Sequence, residues 1–155
     1  MLLAEYSTES AKLANYTLSA AYDNLQGDPP QDIPLIVWLL ENPDSFCSVP
    51  GAISLENHDR LHLILDRGFS GEDEAYLVGF CMGNDLRTTP IHLIMIKAIA
   101  FLFYPKIYRF TAAEIKTFDL GVELGRTTKI KNLNQEMPPD WNDKTLTEIR
   151  HELNL

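Results

Sequence analysis

Ser54-Leu55-Glu56-Asn57-His58-Asp59-Arg60-Leu61-His62-Leu63-Ile64-Leu65-Asp66-Arg67-Gly68-Phe69-Ser70-Gly71-Glu72-Asp73-Glu74 is the stretch on which the fold turns. Ser54 can cap a helix by accepting a hydrogen bond from a backbone N–H of the first turn, and the run behind it holds to about Asp66. Gly68, Ser70 and Gly71 then form a loop. Ser70, with Asp73 three residues on, supplies an approximate capping box for a second helix, predicted through Met82. Helix, tight loop, helix is the unit these residues spell.

Each residue of an α-helix advances about 100°, so with His58 at zero, His62 falls at about 40°, Asp66 at about 80° and Asp59 at about 100°. Leu61, Ile64 and Leu65 lie at about 300°, 240° and 340°, and Glu56, Arg60 and Arg67 at roughly 160° to 200°. Two imidazoles and two carboxylates therefore share one sector, next to the core sector rather than within the solvent one. Solvated faces mix charges of both signs, whereas this sector holds only groups that give lone pairs to a cation. Glu74 stands beyond the loop, with eleven residues between it and His62, where the first turn of the next helix can supply another oxygen ligand. A mixed nitrogen and oxygen set suits Zn²⁺, Mn²⁺ or Fe²⁺ better than Ca²⁺, and open coordination positions would make such a site catalytic rather than structural. Asp66 has only its i, i+4 spacing and is read as a supporting group. The plainer account is that these are ordinary helix residues, with Glu72, Asp73 and Glu74 favoured by the helix dipole.

The rest of the chain reads as helices separated by proline and glycine breaks. An amphipathic helix is expected from about Thr8 to Leu25, stopped at Gly27-Asp28-Pro29-Pro30, and another through Ile33–Leu40 with Pro34 in its first turn. Ile91–Tyr104 is apolar enough to be a buried, central helix ending at Pro105. Thr111 with Glu114 caps the next helix, and Thr145 with Glu148 a short last one beyond Pro138-Pro139. The expectation is a single all-α domain spanning residues 1–155, with six to seven helices, the metal site on a helix-loop-helix unit and an apolar central helix. Ala75, Gly79 and Gly83 form a small-residue stripe that favours close helix packing over room for a ligand tail.

Composition narrows the function classes. At 155 residues, 45% hydrophobic and 23% charged, the chain can bury roughly 70% of its unfolded surface without a disulfide or metal to hold it together. Cys47 and Cys81 belong to no CxxC pattern and read as buried small hydrophobes in a reducing compartment. A net charge of −9 disfavours nucleic acid and anionic lipid. Ile91–Tyr104 has 14 residues with Lys97 among them, too short to span about 30 Å of hydrocarbon, although one face of it can meet a lipid. The opening residues carry Glu5 and no basic region, unlike a secretion signal. A cytoplasmic, bacterial protein without a transmembrane span is expected, with peripheral membrane contact as an option.

The run His58-Asp59-Arg60-Leu61-His62, followed by Glu74, resembles the His-Asp-x-x-His, eleven-residue, Glu motif of the coenzyme Q (ubiquinone) biosynthesis protein four family. Gly125-Arg126, Lys129 and Leu133 are similar to that family's basic C-terminal stretch, and Trp141, Leu146, Ile149-Arg150 and Glu152-Leu153 to its closing pattern. The resemblance covers roughly residue 33 to the end. It implies an all-helical fold and a divalent metal, zinc first with magnesium, manganese or iron as alternatives, held by His58, Asp59, His62 and Glu74. It also implies an isoprenoid-tailed quinone precursor beside the metal, action at the ring carbon that loses its carboxylate and gains oxygen, and assembly with other quinone-biosynthesis enzymes or into a homo-oligomer. The expected function is thus metal-dependent oxidative decarboxylation of a prenylated quinone precursor. The alternative is a non-catalytic prenyl-lipid binding or scaffold protein that presents intermediates to partner enzymes.

Overall fold

The computed structural model describes residues 13–25, 40–106 and 109–155. Among them are six α-helices and no β-strand: α1 (Leu18–Asp23), α2 (Leu55–Leu65), α3 (Gly71–Asn84), α4 (Pro90–Leu102), α5 (Ala112–Thr127) and α6 (Leu146–Leu153), with a 3-10 turn at Pro139–Asp143. An all-α fold was expected, and the helices begin where the capping residues stand. Ser54 Oγ accepts from Asn57 N–H at 3.4 Å, Ser70 Oγ from Asp73 N–H at 3.2 Å, and Thr145 Oγ1 from Glu148 N–H at 3.2 Å. Thr111 N–H donates to Glu114 Oε2 at 2.6 Å, closing the box that opens α5. Each contact satisfies an N–H that a helix start would otherwise leave without a partner.

Two expectations about elements change. The first helix does not run unbroken from Thr8: Thr17 caps α1, and the backbone just before it serves α6 instead. Leu146 N–H donates to Tyr16 O at 3.0 Å and Thr147 N–H to Ala14 O at 3.1 Å, so those carbonyls satisfy the orphan donors of a distant helix start. Residues 1–12, and the helix expected over Ile33–Leu40 apart from Leu40 itself, lie outside the described residues.

The second change concerns which helix is central. Only Ile96 and Ala100 of α4 are buried, while Ile91, Ile94, Met95, Phe101 and Leu102 are exposed, as is Phe103 just beyond. The enclosed helix is α3, whose Leu77, Phe80 and Cys81 pack in one cluster with α1, α2, α6, Leu133 and Trp141. Its Ala75 and Met82 pack in a second cluster with α4, α5, Tyr104 and Phe110. The cause is the small-residue stripe. A Cβ added at Gly79 or Gly83 would overlap the carbonyls of Phe118 and Val122, and one at Gly121 or Gly125 would overlap those of Tyr76 and Phe80. Four glycines thus let the backbones of α3 and α5 touch, which seals α3 inside. No helix among the described residues is long and apolar enough to cross a membrane.

The closing residues anchor the first half of the helix-loop-helix unit. Trp141, Leu146, Ile149 and Leu153 are buried against α1, α2 and α3. Between them Arg150 Nε donates to Ile64 O and its Nη2 to Leu63 O, both at 2.8 Å. A guanidinium so placed satisfies the last carbonyls of α2 and opposes the negative end of its dipole.

Candidate metal centre

α2 ends at Asp66, which takes the left-handed conformation at φ 54°, one that Asp adopts more readily than most residues. The chain turns there, passes Gly68, and enters α3 at Ser70, so that the first turn of α3 returns to the histidine side of α2. Glu74 is thereby set facing His58 and His62. His58 Nε2 lies 3.1 Å from Glu74 Oε2, and His62 Nε2 lies 3.2 Å from Glu74 Oε1. One ligand atom from each of the three residues falls within 4.8 Å of the others. A tetrahedral ion with bonds of about 2.1 Å separates neighbouring ligand atoms by about 3.4 Å, so the three atoms would draw together around one.

His62 is the least ordinary member. It is 1% exposed, its Nδ1 has no hydrogen-bond partner, and its Nε2 meets Glu74 Oε1 in an ion-pair contact at 3.2 Å. A buried polar group without a partner costs about 1–3 kcal/mol. An imidazole nitrogen that ligates a cation pays no such penalty, and an ion between the His62 ring and Glu74 fits this arrangement. The ring is held edge-on to His58, centroids 4.6 Å apart, and against half-exposed Phe69 at 4.4 Å.

Electrostatics of the metal-free trio follow from this packing. Burial alone would depress the His58 pKa, but hydrogen bonds and charge from Asp59 and Glu74 outweigh it and raise the value to about 9. For Glu74 burial pushes upward, and the hydrogen bond from His58 with the neighbouring His62 ring overcomes it, lowering the value to about 2. His58 and Glu74 are therefore an imidazolium–carboxylate pair at neutral pH, and a divalent ion would exchange with the imidazolium proton.

Of the predicted residues, then, the structure brings His58, His62 and Glu74 together. Asp59 sits behind His58, its Oδ1 3.5 Å from Nδ1, and is not one of the three whose ligand atoms converge. Asp66 points to Arg150, 4.0 Å away. Lys131 caps the end of α5 through Gly125 O and Arg126 O at 2.9 and 2.7 Å, while Arg126 and Lys129 are exposed. Cys81 is buried as expected, but Cys47 is exposed.

Sequence spacing overlooked Glu41 and Tyr104, which pair near the centre at 2.6 Å. It also overlooked buried Asp85, which accepts from Gly51 N–H at 2.8 Å, Asn134 Nδ2 at 3.0 Å and the Arg87 side chain. Nothing local marks Glu41 as special. Asp85 stands out only as an acid just past an apolar helix. Compared with protein-family models, curated proteins and solved structures, the chain matches none of them.

Proposed function

We propose that this chain is a divalent-metal protein of prenyl-quinone metabolism, with His58, His62 and Glu74 as its protein ligands and Asp59 as the carboxylate that orients His58. The observation that carries the metal assignment is the buried imidazole of His62, its Nε2 facing the Glu74 carboxylate at 3.2 Å beside a second imidazole. Two imidazoles and one carboxylate leave coordination positions for a ligand, the arrangement used by catalytic zinc and by non-haem iron. A bound ion would supply a Lewis acid that polarises a ligand oxygen. The chain's own residues set the geometry. Arg150 pins the end of α2, the glycine-packed α3 holds Glu74, and Asp59 fixes which nitrogen of His58 faces the centre.

The substrate reading, an isoprenoid-tailed quinone precursor acted on at its ring carboxylate, rests on the resemblance of the motif. Elemental analysis of chelator-free protein is expected to find close to one equivalent of metal, and the metal-loaded protein is expected to turn over a carboxylated prenyl-quinol. Metal content at background level would end the metal assignment; one equivalent of metal without turnover would end the catalytic one. The second reading, a non-catalytic lipid-binding or scaffold protein, draws on the exposed apolar residues of α4. It predicts prenyl lipid in organic extracts of the purified protein and no turnover.

A further inference from the structure

One ionisable pair near the metal centre serves no visible purpose in holding the ligands. Glu41 stands at the start of a loop that its own backbone helps to close, with Val49 N–H donating to Leu40 O at 2.9 Å and Ile53 N–H to Glu41 O at 3.0 Å. Buried Tyr104 reaches it from beyond α4 and donates to Glu41 Oε1 at 2.6 Å. Tyr104 thus engages one of the two carboxylate oxygens of Glu41. Glu41 and His58 both line a cavity of about 20 Å³ whose other walls include Val49, Ile53, Leu77, Met82 and Ile96. Such a volume holds one water-sized group. A carboxyl in an apolar wall carries a desolvation cost that an aliphatic side chain would avoid.

Helix geometry extends the link to the metal centre: Leu77, Val78 and Cys81 of the cavity wall follow Glu74 by one and two turns on the same face of α3. The groups that act on Glu41 come from each packed element: Tyr104 beyond α4, His58 on α2, and Glu74 and Cys81 on α3. Burial pushes the Glu41 carboxyl up, the Tyr104 bond and the His58 charge pull it down, and Glu74 pushes it up again.

Building on the metal reading above, we propose that Glu41 is the acid–base residue of this centre, serving an O–H group seated in the cavity between it and His58, with Tyr104 as its positioning residue. In the forward step the O–H bond breaks, its electron pair stays on the donor oxygen, and the proton bonds to Glu41 Oε2. The reverse step returns the proton, and no oxidant or reductant takes part.

The test is carbon-13 NMR of the full chain carrying carboxyl-labelled glutamate, titrated with and without zinc, using E41Q to assign the Glu41 signal. Glu41 in the metal-free protein is expected to titrate above the ordinary glutamate value of about 4.3. Zinc should lower that midpoint by more than about one unit, so that wild-type zinc affinity gains about tenfold across this window relative to E41Q. Y104F should raise the midpoint while leaving zinc affinity at pH 8 within about threefold, since a hydrogen bond to the charged form is lost. A Glu41 midpoint that zinc does not move, in protein that binds zinc tightly, overturns this inference and leaves the metal reading standing. Wild-type protein that does not bind zinc, or H62A that binds it equally well, overturns both. A Y104F midpoint equal to wild type overturns the role of Tyr104. If E41Q does not fold, E41D removes the same labelled signal and serves for assignment.

Discussion

His62 is the buried member of the trio, its Nε2 facing Glu74 and its ring between those of His58 and Phe69. Replacing it with alanine is expected to weaken zinc binding by at least about 100-fold by calorimetry. D59N, which keeps the shape and loses the charge behind His58, should cost about 10- to 100-fold, the range for a supporting carboxylate. A D59N loss as large as that of H62A would make Asp59 a ligand instead. The pH dependence follows from the shifts. His58 titrates at about 9 when folded and about 6.5 when unfolded. Its pairing therefore stabilises the metal-free fold fully below about pH 6.5 and is lost as pH rises through 9. Glu74 titrates at about 2 when folded and about 4.3 unfolded, so its share is complete above about pH 4.3 and is lost as pH falls through 2. Metal-free protein should accordingly be most resistant to urea between about pH 4.5 and 6.5. H58Q should remove the decline on the alkaline side, and a decline of unchanged size in H58Q would contradict the pairing. Zinc must displace the His58 proton, so the logarithm of its affinity should rise with pH at a slope of about one between pH 7 and 8.5.

The α3–α5 pair and the α2–α6 anchor are the two element contacts that hold the centre in register. Gly79→Ala places a methyl group against the Phe118 carbonyl, and backbone cannot step aside as a side-chain tip can. The expected loss is about 3 kcal/mol in urea-unfolding experiments, and a wild-type midpoint would mean that the helices are free to separate. Arg150→Met removes both bonds to the end of α2, for an expected loss of about 2 kcal/mol together with weaker zinc binding. Arg150→Lys should not restore it, because an ammonium lacks the planar fork that meets two successive carbonyls. These contacts recast the closing residues of the motif. Trp141, Leu146, Ile149 and Leu153 are core, and Arg150 is the cap that steadies the histidine helix.

For the molecule as a whole, a site that exists only when α2 and α3 are packed makes metal binding a contribution to folding. Free zinc at 100 times its dissociation constant should stabilise the fold by about 2.7 kcal/mol, a rise of roughly 5–10 °C in Tm. Chelator should reverse the rise and H62A should show none; an equal rise in H62A would place the zinc elsewhere. Local spacing alone determined the helix-loop-helix unit, the capped starts of α2, α3, α5 and α6, and the placing of His58 and His62 on one side of α2, because caps and the 100° advance act over a few residues. Tertiary packing alone decided that α3 and not the more apolar α4 is enclosed, that Asp59 backs His58, and that Glu41 meets Tyr104 across 63 positions and Arg150 meets Ile64 across 86. A helical pattern orients a residue about its own axis, but which neighbour fills that direction depends on how closely two helices approach, and here four glycines set that distance.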